Sequence, residues 1–164
     1  MPQDKTLDDL FLDTLKDIYF AERQILKALP KMARAADDPN LKAGFEEHRE
    51  QTQGHVERLE QIFEMLGKPA RGKTCEAILG IIAEGEEIME EFKGTPALDA
   101  GLISAAQAVE HYEMARYGTL KAWADLLGRK DAVKLLDATY QEEAATDKKL
   151  TQLAETSENV KAAA

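Results

Sequence analysis

Two glutamates, Glu110 and Glu113, stand where a long helix should present apolar side chains. Around them the run from Ala97 to Leu127 offers Leu102, Ala106, Val109, Tyr117, Leu120, Ala124 and Leu127 at helical spacing. Three positions apart, at 100° per residue, the two carboxylates lie about 60° from one another and share that face. Three other stripes carry similar interruptions. Glu22 is the sole charge among Leu7, Leu10, Phe11, Leu15, Ile18, Ile25 and Leu29. His48, Thr52 and His55 divide Leu41 and Phe45 from Leu59 and Ile62, and Glu143 follows Val133, Leu136 and Thr139. A carboxylate in a core costs several kcal/mol unless it is paired or bound to a cation. Carboxylates with an imidazole in an apolar cage suit iron first and manganese second. The alternative is a metal-free hydrogen-bonded network with protonated carboxylates. No lysine falls on these stripes, and Arg116 is the only cationic substitute near Glu113.

The elements that carry these residues are helices throughout. Thr6 or Asp8 can cap a first helix that runs to the breaker Asp37-Asp38-Pro39-Asn40, with Pro30 a threat near its end. A second spans about Leu41 to Leu66 and closes on Gly67 and Pro69. Cys75 to Phe92 reads as a shorter helix, followed by the break Gly94-Thr95-Pro96. A third long helix ends at Gly128, and a fourth starts near Lys130. Beyond about Thr156 the pattern fades, which predicts a frayed end, and residues 1–5 predict a loose start. No strand alternation occurs. The expected fold is all-α: a single domain over residues 1–164, ordered from about 6 to 157. It is a four-helix bundle with an additional helix in the long crossover between the second and third long helices.

Antiparallel pairing then sets heights. Glu22 and His55 lie about fifteen positions either side of the Asp37–Asn40 turn, and Glu113 and Glu143 about fifteen either side of Gly128. All four therefore meet at mid-bundle. His48, two turns from His55, can be a ligand or the partner of one, although a core histidine satisfied by a carbonyl is the first expectation. His111, about 100° from Glu110, is expected to support a ligand from behind or to face outward. Tyr112 and Tyr117 can hydrogen-bond carboxylates, although aromatics at this spacing usually only pack.

Bulk properties restrict the function classes. A net charge of −10 over 164 residues argues against a nucleic-acid surface. No apolar run approaches the ~18 residues of a membrane span, and no charged-then-apolar leader opens the chain. A cytoplasmic location is the default expectation. Cys75, the only cysteine, excludes an internal disulfide. The crossover helix carries more apolar residues than one face requires, which predicts a homodimer.

The chain resembles the YciF-type family of ferritin-like bacterial proteins associated with stress responses. The likeness runs from Leu7-Asp8-Asp9-Leu10-Phe11 to Ala145-Thr146-Asp147. It is carried by Tyr19-Phe20-Ala21-Glu22-Arg23-Gln24, Glu57-Arg58-Leu59, Val109-Glu110-His111-Tyr112-Glu113, Tyr117-Gly118-Thr119-Leu120 and Glu142-Glu143-Ala144-Ala145-Thr146-Asp147. Ferritin-like di-iron proteins place a Glu on two helices and Glu-x-x-His on the other two. On that pattern Glu22 and Glu113 match the lone glutamates, His55 the second-helix histidine and Glu143 the fourth-helix glutamate. Thr52 and Thr146 stand where a Glu and a His are expected. Glu110 and Asp147, each within a turn of a matched ligand, can compensate. The resemblance implies a metal-binding protein of stress protection that oxidises Fe(II) with oxygen or peroxide. The rival is a structural or interaction bundle in which metal is only structural or absent. A manganese catalase-like activity ranks lower because the imidazole count is poor.

Overall fold

A computed structural model describes residues 4–164. Five helices build the body: α1 (Leu7–Ala35), α2 (Pro39–Met65), α3 (Glu76–Glu91), α4 (Leu98–Leu126) and α5 (Lys130–Leu153). A π-helical turn (Ala154–Glu158) leads from α5 into the short α6 (Asn159–Ala163). Of the loose start expected over residues 1–5, the first three lie outside the described residues. None of the helices is long and apolar enough to cross a membrane.

Local chemistry accounts for the boundaries. Thr6 caps α1 in a reciprocal box: the Asp9 N–H donates to its hydroxyl at 3.3 Å and its own N–H donates to the Asp9 carboxylate at 2.8 Å. Pro30 does not end α1, which continues to Ala35. Asp38 caps α2 through the N–H groups of Asn40 and Leu41, with Pro39 at the first helical position, so α2 starts two residues before the expected Leu41. Gly67 and Gly128 end α2 and α4 with φ of 64° and 73°, a backbone that side-chain-bearing residues rarely adopt.

The links of residues 36–38 and 127–129 fold α1 on α2 and α4 on α5 as antiparallel hairpins, and α3 covers α4 and α1. Asp99, buried in the first turn of α4, accepts the N–H groups of Asp37 and Asp38 at 2.9 and 2.7 Å. This fixes the start of α4 beside the start of α2, so these two helices run the same way and the crossover travels the length of the bundle. The crossover also presses on α1. The Lys73 N–H donates to the Lys16 carbonyl at 3.0 Å, and a Cβ on Gly72 would meet Phe20 Cβ at 3.0 Å.

The helix continues past Thr156, where the sequence predicts fraying. Glu158 is buried, and Lys161 bridges it to Asp38 at 3.1 and 3.2 Å. The weak periodicity there reflects a segment held by ion pairs and a π turn rather than by an apolar stripe.

Candidate metal centre

Four helices each deliver charge to the middle of the bundle. Glu22 comes from α1, His48 and His55 from α2, Glu110 and Glu113 from α4, and Glu143 from α5; all six are buried. Their spacings explain it. His48 and His55 are two helical turns apart, and Glu110 and Glu113 nearly one, so each pair faces one way. Ligand atoms of Glu22, His55, Glu113 and Glu143 all lie within 4.8 Å of one another, and so do those of His48, Glu110, Glu113 and Glu143. Glu113 and Glu143 belong to both groups.

These atoms do not satisfy one another. His48 Nε2 approaches Glu110 Oε1 to 3.0 Å and Glu143 Oε2 to 3.4 Å, and His55 Nδ1 approaches Glu143 Oε1 to 2.7 Å. These separations are short, yet the ring nitrogens are not aligned for N–H···O bonds, and Glu110, Glu113 and Glu143 keep both carboxylate oxygens without a partner. Glu22 Oε2, His48 Nε2 and His55 Nδ1 are orphaned as well. Arg129 Nε is the only buried side-chain polar atom outside this cluster in the same state among the described residues. Native interiors seldom leave such groups unmet. Among the described residues no lysine or arginine answers the four central carboxylates: Arg116 is exposed and lies over the Tyr112 ring, 5.2 Å from its centroid.

Surrounding residues orient the donors. His55 turns its Nε2 to Glu142 at 2.8 Å, and Glu142 is gripped by both terminal nitrogens of Arg58 at 2.8 and 2.9 Å. With the Arg58-held carboxylate accepting the Nε2 proton, Nδ1 is the nitrogen that faces the centre and can bind a cation once its own proton leaves. The Tyr117 hydroxyl donates to Glu22 Oε1 at 2.8 Å and leaves Oε2 free.

Electrostatics reflects the crowding. Burial, reinforced by the charge of Glu143, pushes Glu110 and Glu113 well above the ordinary carboxyl value of 4.5. For Glu143 burial acts upward too, but the close approach of Glu110, His48, His55 and Glu113 outweighs it and holds the group well below. Burial works against a charged His55, yet Glu143 and Glu22 prevail and raise it to about 10. The Arg58 fork keeps Glu142 below its usual range. Without a cation the cluster must hold protons.

Of the sequence-derived candidates, Glu22, His55, Glu110, Glu113 and Glu143 converge. Asp147 falls in neither group: its Oδ1 lies 3.2 Å from His111 Nε2 and 3.3 Å from Gln107 Nε2. Four residues turn a helix about 40° past a full circle, which swings Asp147 from Glu143 toward the outer side of α4. His111 faces outward, as expected. The expectation for His48 needs correction, because its Nε2 faces Glu110 and Glu143 and not a carbonyl. Both tyrosines do hydrogen-bond carboxylates, Tyr117 to Glu22 and Tyr112 to Asp17. Thr52 spends its hydroxyl on the His48 carbonyl, and Thr146 donates to Gln51. The supporting pair Glu142 and Arg58 went unassigned in the sequence, because neither falls on an inward stripe.

Comparison with known proteins agrees with this architecture. The family described as "Domain of unknown function (DUF892)" matches residues 6–163. Protein YciF of Escherichia coli K12 is 45% identical over 159 residues, which are 96% of this chain and 96% of that one. The crystal structure of the E. coli stress protein YciF superposes with a TM-score of 0.88 at 45% identity, covering 92% of this chain and 96% of that one. YcfI from Rhodopseudomonas palustris, for which a structural role is suggested, gives a TM-score of 0.88 at 47% identity, covering 92% and 97%. With its helical bundle and a match over nearly its whole length, the chain belongs to the DUF892 family of YciF-like stress proteins.

Proposed function

We propose that the protein binds two divalent metal ions in its core, iron first and manganese second, and uses them against oxidative stress by oxidising Fe(II) with oxygen or peroxide. The observation that carries this reading is the set of orphaned donor atoms on Glu22, His48, His55, Glu110, Glu113 and Glu143. Glu22 and His55 would hold one ion and Glu110 and His48 the other, with Glu113 and Glu143 shared. Neutral imidazoles leave four carboxylates, a charge of −4 that two divalent cations cancel. When bound, the ions supply one-electron redox chemistry toward an oxidant, which no side chain here provides. The chain's own contribution is to orient the donors. Glu142 and Arg58 keep the His55 Nε2 proton away from the centre, Tyr117 fixes Glu22, and Glu110 and Glu113 give up protons on loading.

Anaerobic titration of the metal-free protein with Fe(II) and with Mn(II), joined to elemental analysis, tests the proposal. Two ions per chain are expected, and absence of binding would overturn it. His48 favours a second reading, disproportionation of hydrogen peroxide to water and dioxygen, because it adds the imidazole that the sequence left out. Dioxygen release from peroxide by the manganese-loaded protein separates the two. A protein stabilised by metal but inert to both oxidants would instead support the structural role suggested for the R. palustris relative.

The proposal includes a homodimer, supported by Leu79 and Phe92 standing exposed on and just beyond α3. Light scattering coupled to size exclusion checks this, and a monomer at working concentration refutes it.

A further inference from the structure

A small apolar cavity lies between α1, α3 and α4 and opens inward on the cluster. Its volume is about 30 Å³, roughly twice the 10–15 Å³ that one water requires. Ile25, Ala28, Ile82, Met89 and Ala105 form its walls. At its inner end stand His48 and Glu110, both buried and both with orphaned atoms. At its outer end stand Lys31 and Glu86, half-exposed and 3.6 Å apart, an ion pair from α1 to α3 across the mouth.

A hydrocarbon-lined space with so few hydrogen-bonding partners holds water poorly, whereas apolar cavities of this kind accept gases such as xenon. The volume excludes lipid chains and organic substrates and admits a diatomic molecule. Polar solutes have a separate approach: a wider groove between α2 and α5, lined by Gln51, Thr146 and Lys149, also reaches His48. We propose that the α1–α3–α4 cavity is a binding site and passage for dioxygen, connecting solvent at Lys31 and Glu86 with the cluster at His48 and Glu110. Its purpose rests on the metal-binding reading above, and it serves that reading whether dioxygen is consumed by Fe(II) oxidation or released from peroxide.

The probe is xenon, applied to the metal-free full-length protein and followed by ¹²⁹Xe NMR and by a xenon-pressurised crystal. A xenon site between α1, α3 and α4 is expected. Ala28→Phe, or Ile82→Phe should the first variant fold poorly, should abolish it. Either variant should bind Fe(II) or Mn(II) with unchanged stoichiometry, because no donor is touched, while exchange of dioxygen with the loaded site slows by an order of magnitude. Absence of xenon from the wild-type cavity, or a filled cavity with undiminished dioxygen exchange, overturns the proposal. A chain that takes up no cation overturns the metal reading and any role of the passage in oxidation; the xenon measurement then still decides whether the cavity holds a gas.

Discussion

Glu142 and Asp147 separate what a helical stripe reveals from what it hides. Asp147 lies a turn beyond Glu143, and its neighbours are His111 and Gln107. Asp147→Ala should therefore leave the metal stoichiometry unchanged in a calorimetric titration. Glu142 lies beside the stripe yet holds His55 in register. Glu142→Ala should keep the stoichiometry and weaken binding by about 10–100-fold, the usual cost of losing a partner that orients a ligand. His48→Ala should reduce two ions per chain to one, since His48 belongs to only one of the two donor groups. Glu22, His55, Glu113 and Glu143 were legible because charge on an apolar stripe is rare and its height can be counted from the turns. His48 was obscured because a core histidine and a ligand leave the same mark in a sequence. Its signal was relational: it precedes His55 on a helix parallel to the one where Glu110 precedes Glu113.

The helices themselves were legible from their periodicity, breakers and caps, and the extra crossover helix from the apolar run after Cys75. Contacts between elements were not. Asp99 gave no sign in the sequence that it would leave the surface and accept two amide protons from the Asp37–Asp38 turn. Asp99→Ala removes that fastening and strands two donors, so the expected loss is roughly 2–3 kcal/mol in chemical denaturation. An unchanged midpoint would show that the turn is held by the helices alone. Gly72 carries comparable information, since only the packed structure shows that Phe20 crowds the space a side chain there would take.

Across the whole molecule, the cluster ties stability to pH and to metal. Glu110 and Glu113 have folded-state values above 4.5, so their contribution is complete below 4.5 and is lost as pH rises through the higher folded values. His55 has the same sign, its contribution ending as pH rises through about 10. Glu142 and Glu143 oppose them and lose their contribution as pH falls below 4.5. The metal-free protein should therefore lose stability from mildly acidic toward alkaline pH. Divalent cations should reverse the trend, because their binding displaces the same protons. Thermal melts with and without Mn(II) across this range check both signs: the gain in Tm from metal should grow with pH.

The two halves of the centre differ in stiffness. Glu22 and His55 are buttressed by Tyr117 and by the Glu142–Arg58 pair, whereas Glu110 has both oxygens unpartnered and borders the cavity. A rigid half retains its guest; a compliant half beside an opening lets it go. Protein dialysed without added metal should thus settle near one tightly held ion per chain, and the second should exchange fast enough to be swapped for a different element, giving a mixed-metal centre.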